Sequence, residues 1–214
     1  IDYVTIFEGE EGVPEDKESE EIWESIDPNL VVKKFGRADN FWGPTGEEGP
    51  CGPTTEIYVN GIEIWNIVFN EFYQNKDKTL KPLDIKGIDT GMGLERLAMV
   101  SQKVPTVFDI DLLEPLILGQ LLDSRSQKIV ADHIRTSVFM ISDGVEPSNK
   151  DRGYILRRLL RRAWVYEHKF KISPHIFEDL IIRVIDKYKL HYPSLEENKN
   201  KIINLYFAEW KKFK

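Results

Sequence analysis

Two residues able to do chemistry bracket a run of glycines. In Ile88-Asp-Thr-Gly-Met-Gly-Leu-Glu-Arg-Leu-Ala-Met-Val100, Asp89 precedes Gly91 and Gly93, and Arg96 follows them. Up to Gly93 the residues are small and loop-like. From Leu94 the apolar residues Leu94, Leu97, Ala98 and Met99 recur at helical spacing. The pattern predicts a glycine-rich turn opening a helix, with Arg96 in its first turn. Backbone N–H groups freed at a helix N-terminus favour anions, and an arginine there adds fixed positive charge. Arginine sits better near a helix C-terminus, so Arg96 is expected to have an anionic partner. Asp89, just before the turn, is placed to hold an ammonium group. The alternative is a glycine-rich loop with a surface arginine, since short glycine patterns are weak evidence alone.

A second stretch carries concentrated charge. Glu146-Pro-Ser-Asn149 reads as a turn into a helix over Lys150–Phe170, with Ser148 or Asn149 as N-cap. This helix holds Arg152, Arg157, Arg158, Arg161 and Arg162, with no acid between Arg152 and Glu167. At about 100° per residue from Ile155, the residues Ile155, Leu156, Leu159, Leu160 and Ala163 fill roughly 0–140°, and Arg157, Arg158, Arg161 and Arg162 fill roughly 200–340°. One face packs, and the other is a strip of four guanidinium groups. In an acidic chain such a strip repels itself unless it meets an anion. It is therefore read as phosphate-binding, against the alternative of a solvated face neutralised by acids on a neighbouring helix.

The flanking elements must position both stretches. Residues 1–7 alternate and read as a strand. Glu8–Glu24 is acidic, with a short helix expected over Ser19–Ile26 and a solvated acidic face. Leu30–Phe35 is a further strand. Between residues 43 and 53 lie four Gly and three Pro, which argues against helix or central strand. An ordered loop anchored by Phe41 and Trp42 is expected there. Thr55–Val59 and Ile62–Tyr73 read as strands joined by Asn60-Gly61, a strong hairpin signal. Period-2 counting puts Ile62, Ile64, Asn66, Val68, Asn70 and Phe72 on one face, with Glu63, Trp65, Ile67, Phe69, Glu71 and Tyr73 on the other. Asn66 is thus polar on a largely apolar face, either bonding a neighbouring loop or contacting a substrate. Lys76–Asp84 is a polar turn and Ile85–Ile88 a strand. From Leu112 onward the chain reads as helical. Ile129–Ser142 presents an apolar stripe containing His133, read as a core histidine. Two helices follow, Pro174–Lys189 and Ser194–Lys214. Trp210 and Phe213 close the last one, where an apolar side is expected to need continuation. The fold class is α+β, an antiparallel sheet followed by an all-helical domain, with domains at 1–111 and 112–214.

Composition narrows the function classes. The 214 residues are 41% hydrophobic and 30% charged, with net charge −7. Residues 1–60 carry net −11 and the remainder +4, which directs the search for a polyanion site to the second part. No apolar run reaches the ~18 residues of a membrane span, so no membrane partner is expected, and the N-terminus is no signal peptide. Cys51, the single cysteine, excludes an internal disulfide and suits a reducing compartment. With His133, His168, His175 and His191 it shows no metal-ligand spacing, so no zinc is expected. The chain opens on Ile1 without an initiator methionine, which reads as a fragment.

Taken together, several segments resemble the alanyl-tRNA synthetase family of class II synthetases. They are Asp39-Asn-Phe-Trp42, Gly49-Pro-Cys-Gly-Pro53, Glu63-Ile-Trp-Asn-Ile-Val-Phe69, Asp89-Thr-Gly-Met-Gly-Leu-Glu-Arg96, Ala131-Asp-His-Ile-Arg135, and Asp143-Gly-Val-Glu-Pro-Ser-Asn149 running into Arg152-Gly-Tyr-Ile-Leu-Arg-Arg-Leu-Leu-Arg-Arg-Ala163. They occur in the family's order. The resemblance implies a class II sheet domain with its motif 3 over residues 88–100, followed by a helical tRNA-recognition region. It implies a cytoplasmic ligase that forms alanyl-adenylate from alanine and ATP, with Mg²⁺, and passes the alanyl group to the 3′ end of tRNA(Ala).

By that resemblance Arg96 and Asp89 are the catalytic positions. ATP would meet Gly91, Gly93, Arg96 and, more weakly, Glu71. L-Alanine would meet Trp42, Asn66, Val68, Asp89 and Gly91. The acceptor stem would meet Asn149, Arg152, Arg157, Arg158, Arg161 and Arg162, with Asn149 reading its G·U wobble pair. Two departures stand out. The class-defining motifs 1 and 2, which supply a further arginine, would lie in an N-terminal catalytic segment before Ile1. The second cysteine frequent after Gly49–Pro53 is Thr54 here. The alternative is a non-catalytic tRNA- or RNA-binding module derived from such a synthetase.

Overall fold

Asn60 and Gly61 take φ values of 53° and 70°, the left-handed pair that a two-residue hairpin turn requires. They join Gly49–Val59 (β4) to Ile62–Gln74 (β5), the central pair of the sheet. The structure, a computed structural model, describes residues 1–10 and 12–213. It divides into two units, Ile1–Val107 and Phe108–Lys214.

Within the first unit the elements run Tyr3–Phe7 (β1), Lys17–Ile26 (α1), Val32–Phe35 (β2), Arg37–Asn40 (α2), Phe41–Trp42 (β3), β4, β5, Leu80–Met92 (β6) and Leu94–Gln102 (α3). Among the described residues these strands form one six-stranded sheet in the order β2-β1-β4-β5-β6, with β3 on β4. Only β1 and β2 pair in parallel; the other ladders are antiparallel. Trp23 of α1 donates its indole N–H to Thr55 Oγ1 at 2.8 Å. Leu97 and Val100 of α3 pack with Val4, Ile57 and Ile64. Thr55 and Ile57 alternate in β4, so α1 and α3 cover one face of the sheet.

Three expectations change here. Gly49–Pro53, expected as loop, is the first part of β4. Pro53 sits where the ladder is irregular, since the register shifts between Cys51 and Thr54 and a bulge spares the missing N–H, while Pro50 stands in register opposite Tyr73. Gly52 permits the crossing: a Cβ there would stand 1.8 Å from Phe69 O. The stretch before Gly93, expected as a turn, is strand to Met92. Its glycines are tolerated because β6 is exposed along nearly its whole length and pairs only with β5. The polar turn correspondingly shrinks, with Asn75 N–H bonded to Thr79 O at 2.9 Å.

The second unit begins with short turns of 3-10 helix at Glu114–Leu116 and Gly119–Leu121. Helices Ser124–Ser142 (α4), Asp151–Lys169 (α5), Pro174–Tyr188 (α6), Ser194–Glu197 (α7) and Lys199–Phe213 (α8) follow. Asp123 caps α4 by accepting from the Ser126 N–H at 2.9 Å, and Gly144, at φ +87°, ends the chain's run past it. The stripe expected along α4 is buried as Val130, His133, Ile134, Ser137, Val138 and Ile141. His133 is a core residue at 8% exposure, with Nδ1 3.2 Å from Asp132 Oδ2. That contact, ahead of all else, holds the Asp132 carboxyl below its ordinary range. Leu156, Leu160, Ala163 and Trp164 of α5 complete the core, each fully buried leucine being worth about 1.5–3 kcal/mol.

The expected cap of α5 is not made. Lys150 occupies the N-cap position without a side-chain bond, and Ser148 Oγ instead donates to Lys150 O at 2.8 Å. Gly153 explains this local arrangement, because Ser148 N–H bonds Gly153 O at 3.1 Å and a Cβ at Gly153 would lie 2.3 Å from Ser148 Oγ. At the end of α8 Trp210 is partly buried and Phe213 stays 37% exposed. Trp210 donates to Glu167 at 3.0 Å, and Phe213 lies 5.4 Å from Trp164, ring to ring.

Candidate functional site

The antiparallel register of β5 and β6 sets Asn66 opposite Gly91 and Val68 opposite Asp89. Directly opposed residues point to the same face, so these four form a compact block on the sheet face opposite α1 and α3. Across β4 the same rows continue to Glu56, opposite Asn66, and Thr54, opposite Val68. Val68 is 5% exposed and gives the block an apolar floor. Gly91 brings no side chain to it; a Cβ there would stand in ordinary contact, 3.5 Å from Asn66 Oδ1. Asp89 is exposed. Trp42 is half-exposed in β3 and pairs with Gly52, two positions from Thr54 in β4.

A polar network adjoins this block. Arg96, in the first turn of α3, donates Nη1 to Glu63 O at 3.0 Å and to Glu63 Oε2 at 3.2 Å. Asn66 Nδ2 donates to Glu63 Oε1 at 3.3 Å. Glu63 is thus the anionic partner that the position of Arg96 demanded. Period-2 counting had put Glu63 on the other face. Ile57 pairs with Trp65 but Tyr58 pairs with Glu63, leaving Ile64 as an extra residue. This bulge turns Glu63 to the side of Asn66. Tyr58 donates its hydroxyl to Glu56 at 2.8 Å. Burial, the largest effect, pushes the Glu56 carboxyl above its ordinary range, and the charges of Glu63 and Asp39 add to it against the Tyr58 bond.

Glu56 and Glu63 were not singled out from the sequence. The available signal was the register: once the Asn60-Gly61 hairpin is fixed, Glu56 falls opposite Asn66. Asn40 was missed too. It is fully buried, donates to Thr5 Oγ1 at 2.8 Å and Thr54 O at 3.1 Å, and leaves Oδ1 without a partner.

Glu71 lies elsewhere. It forms an ion pair with Lys86 at 2.8 Å and lines a cavity of about 710 Å³ with Phe69, Ile88 and residues of the segment leading into α1. Glu71 and Phe69 are two apart on β5, so this cavity is on the α1 face. Glu71, expected to border ATP, thus lies on the face opposite Asn66, Val68, Asp89 and Gly91. Gly93 remains at the junction, its N–H bonded to Ile64 O at 3.0 Å.

In the second unit the expected strip of four arginines divides. Gly153, Leu156, Leu160, Ala163, Trp164 and Glu167 are the buried residues of α5, so the packed arc lies about 60° round from the one counted from Ile155. Ile155 is left 47% exposed, and Arg157 is drawn toward α8. Arg157 Nε donates to Glu209 at 2.6 Å, Nη2 donates to Pro147 O at 3.1 Å, and Nη1 bonds Asn149 Oδ1. Arg161 stands 3.8 Å from the same Glu209 carboxylate. Arg152, Arg158 and Arg162 are exposed and, among the described residues, make no side-chain hydrogen bond or ion pair. Arg157 and Asn149 are therefore tied to one another, and the outward strip is Arg158 and Arg162.

The pattern of the family described as class II tRNA synthetases (A) matches residues 3–214. The chain belongs to this family. An alanine–tRNA ligase of Borrelia hermsii is 38% identical over 92% of the chain and 39% of its own length. One of Treponema pallidum is 38% identical over 98% of the chain and 40% of its own length. The cytoplasmic alanine–tRNA ligase of Dictyostelium discoideum is 37% identical, over 91% of the chain and 25% of its own length. This class II synthetase chain thus spans about two-fifths of the length of the first two relatives. Among its described residues no group of three or more metal-ligating side chains converges, and no helix is long and apolar enough to cross a membrane.

Proposed function

We infer that the chain serves alanine–tRNA ligation: activation of alanine by ATP to alanyl-adenylate, then transfer to the 3′ end of tRNA(Ala). The observation that carries this is the opposed pairs Asn66–Gly91 and Val68–Asp89, in a chain whose relatives are named alanine–tRNA ligases. Asp89 binds the alanine ammonium, Asn66 orients its carboxylate, and Val68 with Trp42 bounds a space fit for a methyl group. Gly91 supplies clearance. Such a pocket discriminates weakly against smaller side chains.

In the activation step an alanine carboxylate oxygen attacks the ATP α-phosphorus and pyrophosphate leaves. The ribose hydroxyl of the tRNA terminus then attacks the activated carbonyl, and AMP leaves. Positioning and charge stabilisation account for the protein's part. Arg96, held by Glu63, places its remaining N–H groups toward phosphate, near the backbone of Gly93. Mg²⁺ is bound by few protein carboxylates together with phosphate oxygens, and Glu56 and Glu63, acids close enough for the charge of one to act on the other, would hold it. There Mg²⁺ would neutralise phosphate charge. Arg158 and Arg162 hold the acceptor-stem backbone, with Arg152 and Arg161 at the margins, and the setting is cytoplasmic.

The test is alanine-dependent ATP–pyrophosphate exchange, with and without the segment that precedes the matched region in the longer relatives. Exchange that needs both pieces, and that is lost in Asp89→Asn, supports the reading. No exchange in either condition, together with binding of an acceptor-stem hairpin, supports an RNA-binding module instead.

A further inference from the structure

Trp42 has little of its own to hold it. It is 43% exposed, and among the described residues its side chain makes no hydrogen bond or ring contact. The strand that carries it, β3, is two residues long, and α2 before it is a single turn whose N-cap, Gly36, makes no side-chain bond. Neither element is stable by itself. Trp42 is therefore placed by what anchors the residues just before it. Phe41 is one anchor, buried with its ring 5.4 Å from that of Phe7. Asn40 is the other, and it is fully buried. Its Nδ2 donates to Thr5 Oγ1 at 2.8 Å, to Thr54 O at 3.1 Å and to Thr54 Oγ1 at 3.3 Å. Thr54 stands directly opposite Val68 in the β4–β5 ladder. Asn40 thus ties the start of β3 to the row that contains Val68, and Val68 with Trp42 bounds the space read as the methyl pocket.

The amide is kept at a cost. Its Oδ1 is buried with no partner, and an unpaired buried acceptor lowers stability. Flipping the amide does not help, because the Thr54 carbonyl only accepts and so requires the nitrogen. A leucine of similar size would leave no such orphan. A polar group retained against stability is expected where its bonds fix something that function needs.

We propose that Asn40 is a positioning residue for side-chain selection. By pinning the start of β3 to Thr5 and Thr54 it fixes Trp42 relative to Val68, and so limits the side chain that the block of Asn66, Val68, Asp89 and Gly91 accepts. The proposal rests on the reading of that block as the alanine site. Without the Asn40 bonds Trp42 can retreat, and room opens for a further methylene. A fixed wall that rejects one methylene discriminates by about 10–200-fold.

The experiment titrates the whole chain, by calorimetry, with two non-hydrolysable adenylate analogues, one carrying an alanyl and one a 2-aminobutyryl group. The parent should prefer the alanyl analogue by at least about tenfold. Asn40→Ala should weaken the alanyl analogue roughly tenfold and the 2-aminobutyryl analogue little, so that the preference is largely lost. Trp42→Ala should erase the preference too, and adding Asn40→Ala to it should change selectivity no further. In the unliganded Asn40→Ala chain the Trp42 indole resonance should move while those of Trp164 and Trp210 stay. If the sheet unit of that variant melts early, Thr5→Val repeats the test, since it removes the 2.8 Å bond and keeps the shape of the side chain; an unchanged preference there overturns the proposal. Equal weakening of both analogues by Asn40→Ala makes Asn40 a purely structural residue and overturns the proposal, leaving the reading of the block intact. Selectivity losses from Asn40→Ala and Trp42→Ala that simply add also overturn it. A parent chain that binds neither analogue overturns both the reading of the block and the proposal.

Discussion

Replacing Arg157 by leucine should destabilise the helical unit. The Arg157 side chain is 18% exposed and that of Glu209 3%, so the 2.6 Å contact between them lies largely out of water. Removing one partner of a buried pair costs about 3–5 kcal/mol when the remaining charge has nothing else. Here Lys212 and Arg161 stay at 3.4 and 3.8 Å from the Glu209 carboxylate. Both are more exposed, and they offset part of the loss. The Asn149 and Pro147 oxygens also lose their donor, at about 0.5–1.5 kcal/mol each, reduced where water reaches them. The expected destabilisation is therefore about 2–4 kcal/mol. Urea unfolding read from the Trp164 and Trp210 indole resonances reports this unit alone. Arg157→Leu with Glu209→Leu should recover most of the stability, since two apolar groups replace the pair. Arg158→Leu, at an exposed unpaired position, should stay within about 0.5 kcal/mol of the parent. Equal stabilities for the Arg157→Leu and Arg158→Leu variants would refute the division of the strip.

Other consequences follow from the same contacts. Gly52→Ala would place a Cβ 1.8 Å from Phe69 O; the strands must part, and a loss above about 3 kcal/mol in the sheet unit is expected by urea unfolding. Glu56 binds its proton more tightly folded than unfolded. Its contribution is therefore present below the unfolded value and is lost as pH rises through the raised folded value. Glu56→Gln should remove that part of the pH dependence, and Mg²⁺ with ATP should lower the Glu56 titration seen by carboxylate carbon NMR.

The sequence conveyed the elements better than their faces. The Asn60-Gly61 hairpin, the α4 stripe and the Gly144 stop are local signals, written in a few adjacent residues, and all appear in the structure. The errors arise where one inserted residue or a neighbouring helix decides. Counting by two along β5 could not see that Ile64 is bulged, so Glu63 was assigned away from Asn66. Counting by 100° along α5 could not see that α8 supplies Glu209, so Arg157 was grouped with Arg158. Gly49–Pro53 was read as loop because proline and glycine oppose regular strands, yet a bulged strand with a close backbone crossing needs them. Asn66, Val68, Asp89 and Gly91 were named one by one through family resemblance. Their opposition across two strands required the register.

The block of Asn66, Val68, Asp89 and Gly91 is proposed to receive alanine and the adenylate. The direct test is titration of the isotope-labelled chain with a non-hydrolysable alanyl-adenylate analogue. Amide shifts are expected at Asn66, Val68, Asp89 and Gly91, reduced by Asp89→Asn, with Glu71 and Lys86 unmoved. Shifts confined to the Glu71–Lys86 cavity, or none at saturating analogue, would contradict it.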